Sequence, residues 1–196
     1  MFDDLNDQKL LNDLNTINRR DVLKLGLVGV VGSLMPLFPS KNAYAISNFA
    51  SWRISFRNAH TGESFSGVYR VGDKYLPESF ERMNYVLRDH RTDEIFPMDP
   101  RIIDIVKVLQ DRTKDDGPIE VLSGYRSPKT NAKLRNASTG VARNSFHMYG
   151  QAMDIRVPGY STRRLRDVAR KMKSGGVGYY PKSNFVHVDT GKVRSW

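Results

Sequence analysis

Only four histidines occur among the 196 residues, His60, His90, His147 and His187, and there is no cysteine. Two of the four sit close to a carboxylate whose spacing has chemical meaning. His147 precedes Asp154 by seven residues in Asn144-Ser145-Phe146-His147-Met148-Tyr149-Gly150-Gln151-Ala152-Met153-Asp154, and His187 precedes Asp189 by two in Phe185-Val186-His187-Val188-Asp189. Neutral imidazole nitrogens combined with a carboxylate oxygen suit Zn²⁺, and three protein ligands with a fourth position open to water describe a catalytic rather than a structural site. Without cysteine, thiolate sites are excluded, so any metal must be held by histidine and carboxylate. His60 and His90 fall in loops beside Thr61-Gly62 and Arg91 and read as ordinary exposed side chains.

Positioning such a set requires particular elements. In an extended Asn184–Asp189 segment, Phe185, His187 and Asp189 share one face and Val186 and Val188 the other. In Ala152–Val157 the same alternation puts Ala152, Asp154 and Arg156 on one face and Met153, Ile155 and Val157 on the other. If the two strands are neighbours, His147, Asp154 and His187 can converge. On spacing alone, the alternative is a polar sheet face turned to solvent.

The remaining chain supplies a frame. Short alternating runs, Trp52–Phe56 and Phe65–Val71, are punctuated by Asn58, His60, Thr61 and Gly62 and predict a β-hairpin. Helical spacing covers residues 78 to 88. A wider apolar stripe follows Asp99-Pro100, with Ile102, Ile103, Ile105, Val106, Val108 and Leu109, and ends at Asp115-Asp116-Gly117-Pro118. A strand over residues 119 to 122, a helix over 129 to 135, a polar stretch to Ser145, a strand over 152 to 157, a helix over 162 to 172 and a strand over 185 to 189 complete the pattern. Helices early and between strands with short loops predict one α+β domain, a central mostly antiparallel sheet with flanking helices carrying the zinc site.

Three segments carry a resemblance: Ser123-Gly124-Tyr125-Arg126-Ser127-Pro128, the block Ser145-x-His147-x-x-Gly150-x-Ala152-x-Asp154, and Gly175-Gly176-Val177-Gly178-Tyr179-Tyr180-Pro181 running on to Phe185-Val186-His187-Val188-Asp189. Together they resemble the zinc D-Ala-D-Ala carboxypeptidase and murein endopeptidase superfamily, most closely its MepK-like exported endopeptidases, over nearly all of residues 50 to 196. The resemblance implies that His147, Asp154 and His187 bind zinc, that Arg126 faces the substrate or its developing oxyanion, and that Ser145 lines the cleft. It also implies hydrolysis of a peptide bond in the cross-link of peptidoglycan. Trimming of terminal D-Ala from stem peptides and wall binding without turnover are the rival readings.

One position departs from the superfamily pattern. Many members carry a glutamate three residues before the second histidine as general base, and here that position is Asn184, which accepts no proton at neutral pH. Asp189 then has two roles open to it. It can act as the base, or it can orient His187 by accepting the proton of the other ring nitrogen.

The N-terminus reads as an address rather than as fold. Asn18-Arg19-Arg20-Asp21-Val22-Leu23-Lys24 is a twin-arginine pattern, followed by an apolar run from Leu25 to Phe38 and by Ala43-Tyr44-Ala45, a small-residue cleavage signal. Residues 1–45 are therefore expected to be a signal peptide that delivers residues 46–196 to the periplasm. An uncleaved anchor is the alternative, but the run is short of the roughly 20 residues that span a bilayer. A 151-residue remainder is long enough to bury a core without staples. All of the net charge of +10 belongs to it, because the first 45 residues hold five basic and five acidic residues, leaving 26 basic against 16 acidic. Such a balance favours an anionic partner. Outside the cytoplasmic membrane that means cell-wall polymer and lipid head groups. Nucleic acid is not expected, since the basic helix around Arg163, Arg164, Arg166, Arg170, Lys171 and Lys173 also carries an ordinary buried side in Leu165, Val168, Ala169 and Met172. Oligomeric state is not legible.

Overall fold

The computed structural model describes residues 50–113, 117–138 and 140–196; the expected signal peptide lies outside the described residues. The first hairpin joins β1 (Ser51–Asn58) to β2 (Ser64–Val71), and β3 (Lys74–Tyr75) extends it. Asn58 makes the turn: its side-chain oxygen accepts from the backbone N–H groups of His60 and Thr61, at 2.9 and 3.3 Å. This is the local alternative to a strand ladder that asparagine offers the backbone.

Helix α1 (Pro77–Val86) buries Met83 and Val86, and α2 (Pro100–Thr113) buries Ile102, Ile103, Val106 and Leu109. Each such side chain contributes roughly 1.5–3 kcal/mol when taken fully from water. Strand β4 (Ile119–Ser123) leads to α3 (Pro128–Ala137). Proline at the first helical position and a Ser127 hydroxyl accepting from the Thr130 N–H at 3.2 Å start that helix. A 3₁₀ turn (Phe146–Tyr149), β5 (Ala152–Arg156), α4 (Thr162–Met172), β6 (Gly176–Tyr180), β7 (Phe185–Asp189) and β8 (Arg194–Ser195) follow.

All eight strands form one sheet in the order β3-β2-β1-β4-β5-β7-β6-β8. The pairs β1–β4 and β6–β8 are parallel and the others antiparallel, so the sheet is mixed but mostly antiparallel, as expected. The expected elements appear close to their boundaries, α4 and β7 at the same residues. The sequence gives little sign of β6, because Gly176 and Gly178 have no side chain to contribute to a strand pattern. That segment is a strand because β7 and β8 pair with it on either side.

Register at the centre of the sheet follows from its apolar face. Met153 pairs with Val188 and Ile155 with Val186, and all four are buried in the core beneath α2 and α4. Alternation then sends Asp154 and His187, themselves direct partners, to the opposite face. A one-residue slip of β5 would turn Met153 and Ile155 out of the core and drive Asp154 into the apolar layer, so core burial specifies the polar pairing. This second face is not a solvent face at the site: Asp154 and His187 are 7% and 8% exposed. Residues of the 140–147 segment, Arg126 and Trp196 enclose them there.

Candidate metal centre

His147 is placed by the 3₁₀ turn that Ser145 opens and Gly150 closes. Gly150 takes the left-handed conformation at φ 63°, and a Cβ at that position would run into the Pro97 carbonyl, so the glycine of the S-x-H-x-x-G block is dictated by backbone geometry. Two bonds tie this turn to the loop after β4. The Arg126 N–H donates to the His147 carbonyl at 3.1 Å, and His147 Nδ1 lies 2.7 Å from the Gly124 carbonyl.

The second bond fixes a tautomer. A carbonyl oxygen only accepts, so Nδ1 carries the proton and Nε2 of the neutral ring presents a bare lone pair. His187 is arranged conversely. Its Nε2 lies 3.1 Å from Asp189 Oδ2, which leaves Nδ1 facing inward. The inward atoms converge: His147 Nε2 and His187 Nδ1 are 3.2 Å apart, and Asp154 Oδ1 lies 2.8 Å from His187 Nδ1 and 3.2 Å from His147 Nε2. Two imidazoles and a carboxylate, each with its electron-rich atom turned to one point and its back held by a hydrogen bond, form a donor set that fits a divalent cation.

Electrostatics follow from that enclosure. Burial, the largest effect on His147, lowers its pKa and keeps the ring neutral. Burial would also lower His187, but hydrogen bonds to Asp154 and Asp189 outweigh it and push the ring up to about 9. A metal held here would have to displace the proton that this raised pKa keeps on the His187 ring. Burial would raise Asp154, yet the facing histidines hold it well below the usual carboxylate range.

Asp189 is 1% exposed and fully engaged. Its Oδ1 accepts from the N–H groups of Gly176 at 3.1 Å and Gly191 at 2.9 Å and from Arg194 Nη1 at 3.0 Å; its Oδ2 accepts from Arg194 Nη2 at 2.7 Å and meets His187. Burial alone would raise this carboxyl, but the His187, Arg194 and backbone donors depress it strongly. Asn184 sits in the β6–β7 turn at φ 53°, exposed, with its N–H on the Pro181 carbonyl. It does not belong to the cavity lining.

Above the three donors is a cavity of about 280 Å³, lined by Arg126, Ser145, Tyr180, Phe185, Arg194 and Trp196 as well as by the 140–142 loop. Arg126 reaches it from the β4–α3 loop, with Nη2 at 3.3 Å from Ser123 Oγ and 3.4 Å from Asp154 Oδ2. Its Nε is buried without a partner among the described residues. The loop bearing Arg126 is held from behind by Asp89, whose Oδ2 accepts from the Ser127 N–H at 2.9 Å and the Ser127 hydroxyl at 2.7 Å.

His60 and His90 stack on each other, ring centroids 4.0 Å apart, and belong to neither the donor set nor the cavity. Of three tyrosines near the site in sequence, Tyr180 lines the cavity, Tyr179 lies beneath Arg166 at 4.6 Å, and Tyr149 is exposed. Asp89, Arg194 and Trp196 escaped the sequence reading. Asp89 is remote in sequence from the Ser127 it supports, while Arg194, near Asp189 in the chain, and Trp196 both sit past the last recognisable motif. The signal for Arg194 was present only as a cation near the end of a basic chain.

Residues 47–196 match the family described as peptidoglycan L,D-endopeptidase MepK. Peptidoglycan L,D-endopeptidase MepK of Escherichia coli strain K12 is 41% identical over 180 residues, spanning 91% of this chain and 97% of the relative. The same-named protein of Shigella flexneri matches equally. Probable peptidoglycan L,D-endopeptidase MepK of Haemophilus influenzae is 39% identical over 181 residues, spanning 91% of this chain and 95% of the relative.

Proposed function

The chain belongs to the peptidoglycan L,D-endopeptidase MepK family, and from that membership we propose that it is an exported zinc metallopeptidase that hydrolyses L,D peptide bonds in the cross-links of peptidoglycan. The observation that carries the metallopeptidase reading is the convergence of His147 Nε2, His187 Nδ1 and Asp154 Oδ1 on one point at the floor of the cavity. Zinc bound there supplies a Lewis acid that acidifies water and polarises the scissile carbonyl.

The chain's own residues supply the rest. Arg126 presents a desolvated guanidinium beside the donor set, suited to an oxyanion developing at the scissile carbonyl or to a peptide carboxylate. Ser145 lines the same cleft. Asp189 holds His187 by its Nε2–H and so aims Nδ1; five hydrogen bonds to a buried carboxylate support that positioning role over proton abstraction. Among the described residues Asp154 is the sole carboxylate that lines the cavity.

Endopeptidase action is favoured over trimming of stem peptides, and over wall binding without turnover, by the names that the matched family and relatives carry. The twin-arginine pattern over residues 18–24 supports periplasmic delivery of residues 46–196. Among the described residues no helix is long and apolar enough to cross a membrane.

Digestion of purified cross-linked muropeptides, read by mass spectrometry with zinc and then with chelator, tests the reading. Chelator-sensitive conversion of L,D-linked dimers to monomers is the expected result. Intact dimers in the presence of zinc-loaded protein would overturn it.

A further inference from the structure

Gly178 stands directly opposite His187 across β6 and β7, so the two positions share a sheet face. The place of a side chain at 178 is taken instead by the indole of Trp196. A Cβ on Gly178 would lie 2.7 Å from Cε2 and 2.9 Å from Nε1 of that ring. The indole centroid is 5.4 Å from that of His187.

The ring is held from several directions. Its Nε1–H donates to the Tyr180 hydroxyl at 2.9 Å, and Arg194 Cζ lies 4.9 Å from the ring centroid, within cation–π range. The Trp196 backbone is bonded to β6 on both sides, N–H to the Val177 carbonyl at 3.2 Å and carbonyl from the Tyr179 N–H at 3.0 Å. Despite this fixation Trp196 is 52% exposed, and it lines the cavity next to the stacked pair Tyr180 and Phe185, whose centroids are 4.5 Å apart. A large aromatic surface held rigid, half in water and beside the donor set, loses little conformational freedom when a ligand covers it.

We infer that the Trp196 indole is a substrate-contacting residue, packing against the peptide planes and alkyl side chain of the cross-link next to the scissile bond and setting its register over the donor set. The inference rests on the proposed peptidase reading for the identity of the peptide, and it assigns Gly178 the task of leaving room for the ring. Arg194 serves both parts, since one face of the site uses its bond to Asp189 and the other its place over the indole.

Two variants and one spectroscopic signal test it. Trp196→Ala removes the ring. Gly178→Ala keeps it but pushes it from its seat towards the exposed side, breaking the contacts that hold it. Both variants should raise KM for L,D-linked muropeptide dimers by about tenfold, with kcat within about threefold of the parent and zinc content unchanged. Trp52 and Trp196 are the two tryptophans of the chain, and Trp52 lies in β1, under Arg70. In a Trp52→Phe background, stopped-flow mixing of zinc-loaded protein with dimers should change the Trp196 emission before turnover. Parent-like KM in both variants, together with silent emission at dimer concentrations that saturate cleavage, would overturn the inference while leaving the peptidase reading intact. An emission change in zinc-loaded protein that cleaves nothing would uphold the contact between Trp196 and the cross-link peptide and sink the peptidase reading.

Discussion

Asp154 and His187 are direct cross-strand partners on β5 and β7, and their side chains meet at 2.8 Å between Oδ1 and Nδ1. The pairing is held in register by the apolar residues on the other face of the same strands. Replacing Asp154 with Asn keeps the shape but removes the anion. Metal affinity should fall by at least about a hundredfold, with the far-ultraviolet circular dichroism unchanged; competition with a chromophoric chelator measures it. Undiminished affinity would remove Asp154 from the ligand set.

Asp189 acts through His187. Asp189→Asn exchanges a full negative charge for an amide and weakens the bonds to both Arg194 and His187 Nε2. A loss of metal affinity of about 10- to 100-fold is expected, with kcat at saturating zinc falling less than affinity does. If affinity is retained and turnover alone collapses, Asp189 is the proton acceptor instead.

Metal binding should release a proton. The ring of His187 is raised to about 9 without a cation, so it is protonated throughout the neutral range and must lose that proton to offer Nδ1. His147 is lowered and already neutral. Apparent affinity should therefore climb by about tenfold per pH unit from pH 6 to 8. Calorimetric titration of zinc in two buffers of different ionisation enthalpy counts the proton released, and a count of zero would refute the assignment.

Arg126→Lys retains the charge and loses the planar fork. Turnover should drop by about a hundredfold while bound zinc stays unchanged, because the Arg126 side chain meets Asp154 only at 3.4 Å and its bond to His147 is made by the backbone N–H, which lysine keeps. Unaltered turnover would exclude Arg126 from the reaction.

Asp89 anchors the Arg126 loop and carries a pH dependence of its own. Burial would raise its carboxyl, but donors from Thr130, Ser127 and Arg91 lower it to about 2. A group depressed in the folded state stabilises above its unfolded pKa, and that contribution disappears as pH falls from about 4 towards 2. It amounts to about 2 kcal/mol. Denaturant melts of the parent should lose stability over that window more steeply than those of Asp89→Asn. Parallel curves would contradict the anchoring role.

Much of the fold was legible because it rests on local rules. Proline at the start of α2 and α3, the apolar stripe of Ile102, Ile103, Val106 and Leu109, and the alternation through residues 185–189 each declare an element within a few residues of sequence. The strand over Gly176–Tyr180 did not, since glycine carries no pattern and the strand exists only through its two neighbours. The donor residues were legible as types at suggestive spacings, and the motif Ser145-x-His147-x-x-Gly150-x-Ala152-x-Asp154 bound them to a family.

By itself the sequence determined which residues present nitrogen and oxygen donors, that no sulfur competes with them, and which face of each strand they occupy, because period-2 alternation is a property of a single strand. Tertiary structure alone decided that β5 lies beside β7, which inward ring nitrogen each histidine offers, and that Asp189 is consumed by five donors arriving from Gly176, Gly191, Arg194 and His187. It also decided that Trp196 fills the space left by Gly178. The β5–β7 pairing and the Gly178–Trp196 contact join segments far apart in the chain, and even the near neighbours of Asp189 find it only through the conformation they take when the sheet closes, which no local pattern encodes.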